Sequence, residues 1–239
     1  MKQIGLFLVL LFFGSHAVLS QVPSYVDTNG LVGWWPLDGN ASDQSGNGNN
    51  GSLSNGASYT TDMNGNVNSA AIFPGLLNLP VASVFSNAEW SFSFWVRKDA
   101  NLGHNPFQIS QMNGASSASF GFTSLNGILN LNGKPRIYAG PSNCGPLRNI
   151  SNCVSLSSTW IHITYVYINN EISIYKDGFL CSVNQFSSGQ WTCITPSMAL
   201  WIGGDVSGGA IEYFTGSVDD IGIWNKALDS NKVNQLYNA

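Results

Sequence analysis

From residue 31 to residue 224 the sequence is cut into short runs of β-branched and aromatic residues by Asn-Gly and Asp-Gly pairs, and this punctuation leaves few folds open. The runs fall at 31–37, 70–73, 91–97, 118–123, 127–131, 160–168, 172–176, 199–202 and 216–224. Between them stand Asn55-Gly56, Asn64-Gly65, Asn113-Gly114, Asn126-Gly127, Asn132-Gly133 and Asp177-Gly178. Asn and Asp tolerate positive φ and Gly prefers it, so these pairs predict tight hairpin turns. Runs 160–168 and 171–176 flank Asn169-Asn170 and read as a two-residue hairpin, with Ile172, Ile174 and Lys176 alternating against Ser173 and Tyr175. The one helix signal is at the end. Asp229 or Ser230 can cap a first turn that places Val233, Leu236 and Tyr237 on one stripe. The expectation is all-β: a two-sheet antiparallel sandwich with a short C-terminal helix.

Composition narrows the function classes. Only 9% of the residues are charged, against roughly 25% in ordinary soluble domains. Aromatic residues make up 12%, which excludes a disordered chain. The formal net charge is −4 and the longest basic run is Arg97-Lys98, so neither nucleic acid nor an anionic membrane surface is an expected partner.

Residues 1–20 place one lysine ahead of an apolar stretch of about ten residues and end in small residues, the pattern of a secretory signal peptide cleaved after Ser20. No later segment approaches the roughly 20 apolar residues of a membrane span. A single domain over 21–239 is expected, secreted, periplasmic or at the cell surface. Its four cysteines, Cys144, Cys153, Cys181 and Cys193, then meet an oxidising compartment. Three pairings are possible. Cys144 with Cys153 and Cys181 with Cys193 is favoured, because each pair flanks a short polar segment that a turn can close. A zinc site is disfavoured, because Cys-x-x-Cys is absent and only His104 and His162 survive cleavage.

Three ordered segments resemble the laminin-G-like jelly roll, in the bacterial form belonging to the concanavalin A-like lectin/glucanase superfamily. Residues 31–51, LVGWWPLDGNASDQSGNGNNG, are similar to that family's opening strand and its Asx-rich loop. Trp160 with His162, then IYKDG at 174–178, is similar to the central hairpin. Ile202-Gly203-Gly204 and FTGSVDDIGIWNKALDSNKVNQLY at 214–237 are similar to the closing strand and terminal helix. Such modules also occur inside larger exported proteins.

The resemblance implies a structural calcium ion near the opening loop. Asp38, Asn40, Asp43, Ser45 and Asn50 crowd oxygen donors there, and Asp219-Asp220 can add carboxylates from the last strand. Calcium takes six to eight hard oxygen ligands. Asp38, Asp43 and Asp219 are the expected carboxylate ligands; an EF-hand is excluded, since Asp43 stands where that loop requires Gly. The competing reading is a self-satisfied Asx turn. Strand parity sets Asp219 with Ile221 and Ile223 on the inward face and Asp220 on the other.

Catalytic signatures of the superfamily are missing. Glu89, Glu171 and Glu212 are isolated, and neither a Glu-x-Asp-x-Glu strand, a Gln-x-His triplet nor a Gly-x-Ser-x-Gly elbow is present. His162, between Ile161 and Ile163, reads as structural. A non-catalytic binding module is expected, with a polysaccharide or glycan as partner. Aromatic faces stack on sugar C–H surfaces while polar side chains meet the hydroxyls. Trp191, Arg136, Tyr138, Asp205 and Tyr213 lie in or beside polar loops and are the candidate contacts, whereas Trp34, Trp35, Trp95, Trp160, Trp201 and Trp224 lie in strand runs and are assigned to packing. The alternative is a module that binds a cell-surface or matrix protein. Asn40, Asn50 and Asn149 head glycosylation sequons that matter only in a eukaryotic secretory host.

Overall fold

Side chains alternate along a strand with period two, so each strand of this sequence offers two faces. In the computed structural model one face of a large sheet packs on a second sheet, and part of its other face is covered by the N-terminal segment and the C-terminal helix. The structure describes residues 22–99, 107–110, 119–122, 135–138, 148–149, 154, 156–185, 199–205 and 212–239. The strands are β1 (Leu31–Trp35), β2 (Ser52–Ser54), β3 (Ser58–Thr60), β4 (Ala70–Phe73), β5 (Leu76–Leu79), β6 (Glu89–Lys98), β7 (Phe107–Ser110), β8 (Ser119–Phe122), β9 (Pro135–Tyr138), β10 (Arg148–Asn149), β11 (Ile161–Ile168), β12 (Glu171–Lys176), β13 (Phe179–Gln185), β14 (Ala199–Ile202), β15 (Gly204–Asp205), β16 (Glu212–Tyr213) and β17 (Gly216–Trp224); helix α1 (Ser230–Tyr237) follows.

The large antiparallel sheet has the order β13-β12-β11-β6-β17-β4-β3, with β1 also paired to β17. A second sheet, β2-β5-β14-β7, supplies Leu77, Leu79, Leu200 and Ile202 to the core between them. From the large sheet come Phe92, Phe94, Val96, Ile163, Tyr165, Ile172, Ile174, Val218, Ile221 and Ile223. Two small ladders, β10-β9-β8 and β15-β16, complete the described strands. This is the expected jelly-roll sandwich.

The turn chemistry performs as the sequence dictates. Asn169 and Asn170 both take positive φ (53° and 60°), as do Asp177 and Gly178 (50° and 79°), so β11, β12 and β13 form a meander on two tight turns. Ile172 and Ile174 are buried, as their alternation requires. The first run stops at Trp35 instead of Leu37, because Leu37 takes φ 58° and turns the chain out of the sheet.

The opposite face of the large sheet carries a smaller apolar cluster. Trp34, Val166 and Trp224 meet Val26 from the N-terminal segment and Val233 and Leu236 from α1. Neighbouring residues of β1 and β17 thus serve different layers: Trp34 and Trp224 the outer one, Trp35 and Ile223 the inner one. Gly222 is required between them. A Cβ there would stand 2.3 Å from the Trp224 ring and 3.0 Å from the Trp34 ring. Asp229 caps α1 by accepting a hydrogen bond from the Lys232 N–H at 2.9 Å, which settles the choice between Asp229 and Ser230. Val233 and Leu236 are buried against the sheet, and Tyr237 lies half-buried beside Trp95.

Cys181, in β13, packs against the inner core and is not a free thiol. Cys144, Cys153 and Cys193 lie outside the described residues, as does run 127–131. Among the described residues no helix is long and apolar enough to cross a membrane.

Candidate functional site

The Asx-rich loop after β1 is built from its own side chains. Strand β1 pairs with β17 along one edge only, leaving backbone groups on the other edge to be satisfied. Asp43 accepts hydrogen bonds from the backbone N–H groups of Trp34 (3.0 Å), Ser45 (2.9 Å) and Asn49 (2.9 Å). Asn47 donates its amide to the Leu31 and Val32 carbonyls, and Asn49 donates to Val32 at 2.8 Å. The Asn50 side-chain oxygen accepts from the Asp43 N–H, and the Asn40 oxygen from the Ser42 N–H. For Asp43 and Asn50 the arrangement is the self-satisfied Asx turn, and Asp43, Asn47 and Asn49 hold the loop against the edge of β1.

The last strand departs from parity. The ladder between β17 and β6 is regular through Asp219 opposite Trp95, then slips, so that Gly222 faces Ser93. Asp220 sits in this bulge with φ 46°. Val218, Ile221 and Ile223 enter the inner core, and the extra residue leaves Asp219 on the outer side of the sheet with Trp95. The expectation that Asp219 shares a face with Ile221 and Ile223 is corrected on this ground, and so is the separation of Asp219 from Asp220. An unbroken strand holds its neighbours apart, whereas a bulge brings them into one region.

That region is acidic. Asp219 is 8% exposed. Burial pushes its carboxyl up, and repulsion from Asp220, Asp62 and Asp38 adds to the shift; only the Asp220 N–H, donating to Asp219 Oδ1 at 2.9 Å, opposes it. Asp220 is raised by burial and by Asp38 and Asp62. The Tyr25 hydroxyl is raised by burial and then by Asp220, Asp219 and Asp38. Asp38 therefore lies near Asp219 as the sequence suggested, and Asp43 does not figure among its neighbours. Asp62, which the sequence analysis missed, belongs to the region but is engaged in its own turn: it accepts from Asn64, Asn66 and the Asn66 amide, which holds its carboxyl below the usual range although burial acts the other way. As placed, no three acidic, His or Cys side chains among the described residues converge into a metal shell. Asp219 and Asp220 fit a cation on electrostatic grounds, and carbonyl and water oxygens would have to complete the coordination; Asp43 does not fit.

Of the candidate glycan contacts, Trp191 lies outside the described residues, and for Arg136, Tyr138 and Asp205 only the strand positions are described, in β9 and β15. Tyr213, in β16, is half-buried. His162 is sealed, 2% exposed, with Nε2 2.9 Å from the Ser93 hydroxyl and its ring packed against those of Trp95 and Tyr237. Burial lowers its pKa to about 3. Trp34, Trp35, Trp95 and Trp224 are buried; Trp160, on the sheet face against Arg97, and Trp201 are partly exposed.

Solved structures share this architecture. Domain 4 of AbnA, a GH43 extracellular arabinanase from Geobacillus stearothermophilus solved in complex with arabinotriose, is 19% identical with a TM-score of 0.67, the match covering 87% of this chain and 98% of that one. A mutant of Trypanosoma rangeli sialidase displaying trans-sialidase activity is 21% identical with a TM-score of 0.64 over 89% of this chain, which spans only 33% of that protein. The binding domain of botulinum neurotoxin serotype D is 14% identical with a TM-score of 0.59 over 88% of this chain and 52% of that one. At these identities the likeness establishes the fold. No curated protein matches the sequence. The family model Laminin_G_3 matches residues 74–234, more than half of the chain, and the protein therefore belongs to the concanavalin A-like lectin/glucanases superfamily.

Proposed function

We propose that this protein is a secreted, non-catalytic carbohydrate-binding module stiffened by a calcium ion. The observation that carries the binding reading is the match to the arabinanase domain, which extends over 98% of that domain and whose structure holds arabinotriose. Two features support a non-catalytic role. Most glycoside hydrolases use two carboxyl groups flanking the scissile bond. Here Asp219 and Asp220 are chain neighbours in one bulge, and His162, the other candidate acid or base, is sealed under α1. Export rests on residues 1–20, and the pairing of Cys144 with Cys153 and Cys181 with Cys193 is to be read by non-reducing peptide mapping.

Calcium is supported by the burial of Asp219 and Asp220 beside Asp38. Ionised carboxylates at close quarters repel, and a divalent cation removes that penalty. Asp219, Asp220 and Asp38 would hold the ion, tying the loop after β1 to the last strand. The deciding experiment is a glycan-array screen of residues 21–239 with calcium and with chelator. Binding to a defined glycan class, weakened by chelation, is expected; a chain that ignores every glycan while binding a matrix protein overturns the reading.

A further inference from the structure

On the outer side of the large sheet one row of side chains runs past the edge of α1 and crosses five neighbouring strands. Arg97 of β6 stands opposite Ser217 of β17, Ser217 opposite Ile72 of β4, and Ile72 opposite Ser58 of β3. Trp160, one residue before β11, extends the row on the other side, with the Arg97 guanidinium 5.2 Å from the centre of its ring. The adjacent row, His162 and Trp95, is covered by Tyr237 of α1. The outer row is not: Trp160, Arg97 and Ile72 are partly exposed and Ser58 is exposed. Four strand spacings make it about 19 Å long, enough for an oligosaccharide.

The guanidinium is held rather than free. Arg97 Nη2 donates to the buried Ser217 hydroxyl at 3.2 Å, Trp160 lies against its face, and Nε stands 3.8 Å from Asp99. The row therefore combines a fixed fork of N–H donors with two apolar surfaces, Trp160 and Ile72, and a free hydroxyl at Ser58. Sugars are recognised by that combination, C–H faces on apolar side chains and hydroxyls on fixed polar groups. Charge selects among sugars. Asp99 already offsets Arg97, and Asp219 of the acidic region lies two residues along the strand from Ser217. An anionic glycan would approach with no unbalanced cation to meet it.

We infer that this row is the glycan-binding surface and that its ligand is an uncharged oligosaccharide, an inference resting on the carbohydrate-binding reading above. Trp160, Arg97, Ile72 and Ser58 make the contacts, and Ser217 positions Arg97. The test is isothermal titration of the secreted chain in calcium with arabino-, xylo- and galacto-oligosaccharides and with oligogalacturonate. Wild type should bind a neutral member of this panel and not oligogalacturonate. Trp160→Ala and Arg97→Lys should each weaken binding about tenfold or more, since anchors of this type dominate small interfaces. Ser58→Glu, an exposed change whose melting temperature should equal that of wild type, should weaken it several-fold. Neutral-glycan binding that survives all three substitutions overturns the row and leaves the module reading standing. Preference for oligogalacturonate overturns the assignment of an uncharged ligand. Failure to bind any panel member, with binding to a protein instead, takes the row and the underlying reading down together.

Discussion

The two faces of the large sheet come from the same strands yet are held by different physics. Phe92, Phe94 and Val96 of β6 point into the inner core, and Ser91, Ser93, Trp95 and Arg97 alternate with them on the outer side. The buried Ser, Thr, His and Asp side chains among the described residues, Ser91, Ser93, Thr164, Ser217, His162 and Asp219, belong to that outer side. There the contacts are specific. Ser91 accepts from the Leu228 N–H and donates to the Lys226 carbonyl, pinning the chain before α1, and Ser93 links His162 to Thr164. Apolar area is indifferent to pH and to ions, whereas buried polar groups depend on each partner being present. The inner layer should therefore set stability, and the outer layer should set how stability responds to conditions.

The largest expected effect tests the inner layer. Phe94→Ala should cost about 3–5 kcal/mol in denaturant unfolding, and Leu236→Ala on α1 about 2–3 kcal/mol, because a surface helix can settle into the space. Equal losses would place the outer layer on the same footing as the core.

Calcium comes next. At 100 times its dissociation constant the ion should add about 2.7 kcal/mol, read as a higher melting temperature in calcium than in chelator. The bulge makes a sharper demand: Asp219→Asn and Asp220→Asn should both remove most of this increment. An increment lost only with Asp219 would show that the bulge does not bring the two carboxylates to one ion.

Acid should act through His162. Its folded-state pKa of about 3 lies below the unfolded value near 6.5, so the neutral ring favours the folded state fully above pH 6.5 and progressively less as pH falls toward 3. Between pH 8 and pH 5 this amounts to roughly 2 kcal/mol. Wild type should lose that much relative to His162→Gln over the same range, measured by chemical unfolding in calcium. Parallel pH profiles would remove His162 as the acid-sensitive group. The smallest effect is at the helix cap, where Asp229→Ala should cost about 1 kcal/mol and leave Phe94-dependent stability untouched.

Much of the framework is legible in the sequence, and the departures from it have local causes. The hairpin at Asn169-Asn170, the turn at Asp177-Gly178 and the cap at Asp229 follow from backbone preferences of single residues, and tertiary context left them alone. The facing of Asp219 departs from parity because parity assumes an unbroken strand, and nothing local in Val218-Asp219-Asp220-Ile221 announces a bulge. Asp43 carries the same carboxylate as Asp38, and only the position of the open β1 edge decides that it is spent on backbone N–H groups. Trp160 opens a strand run and so reads as packing; it lies on the sheet face against Arg97, and only the register of β11 with β6 decides that neighbour.

By itself the sequence determined the strand-and-turn alternation, the all-β class and the capped C-terminal helix, because each rests on φ preferences and side-chain periodicity within a few residues, while the family rested on the resemblance of three ordered segments. Only the tertiary structure decided which face of the large sheet would be covered by α1, that Asp219 and Asp220 would come together near Asp38, and that Arg97 would lie on Trp160 from the neighbouring strand. Those outcomes depend on register and on contacts between residues up to about two hundred positions apart, such as Trp224 with Asp27, and a one-residue slip in register moves every side chain beyond it to the other face.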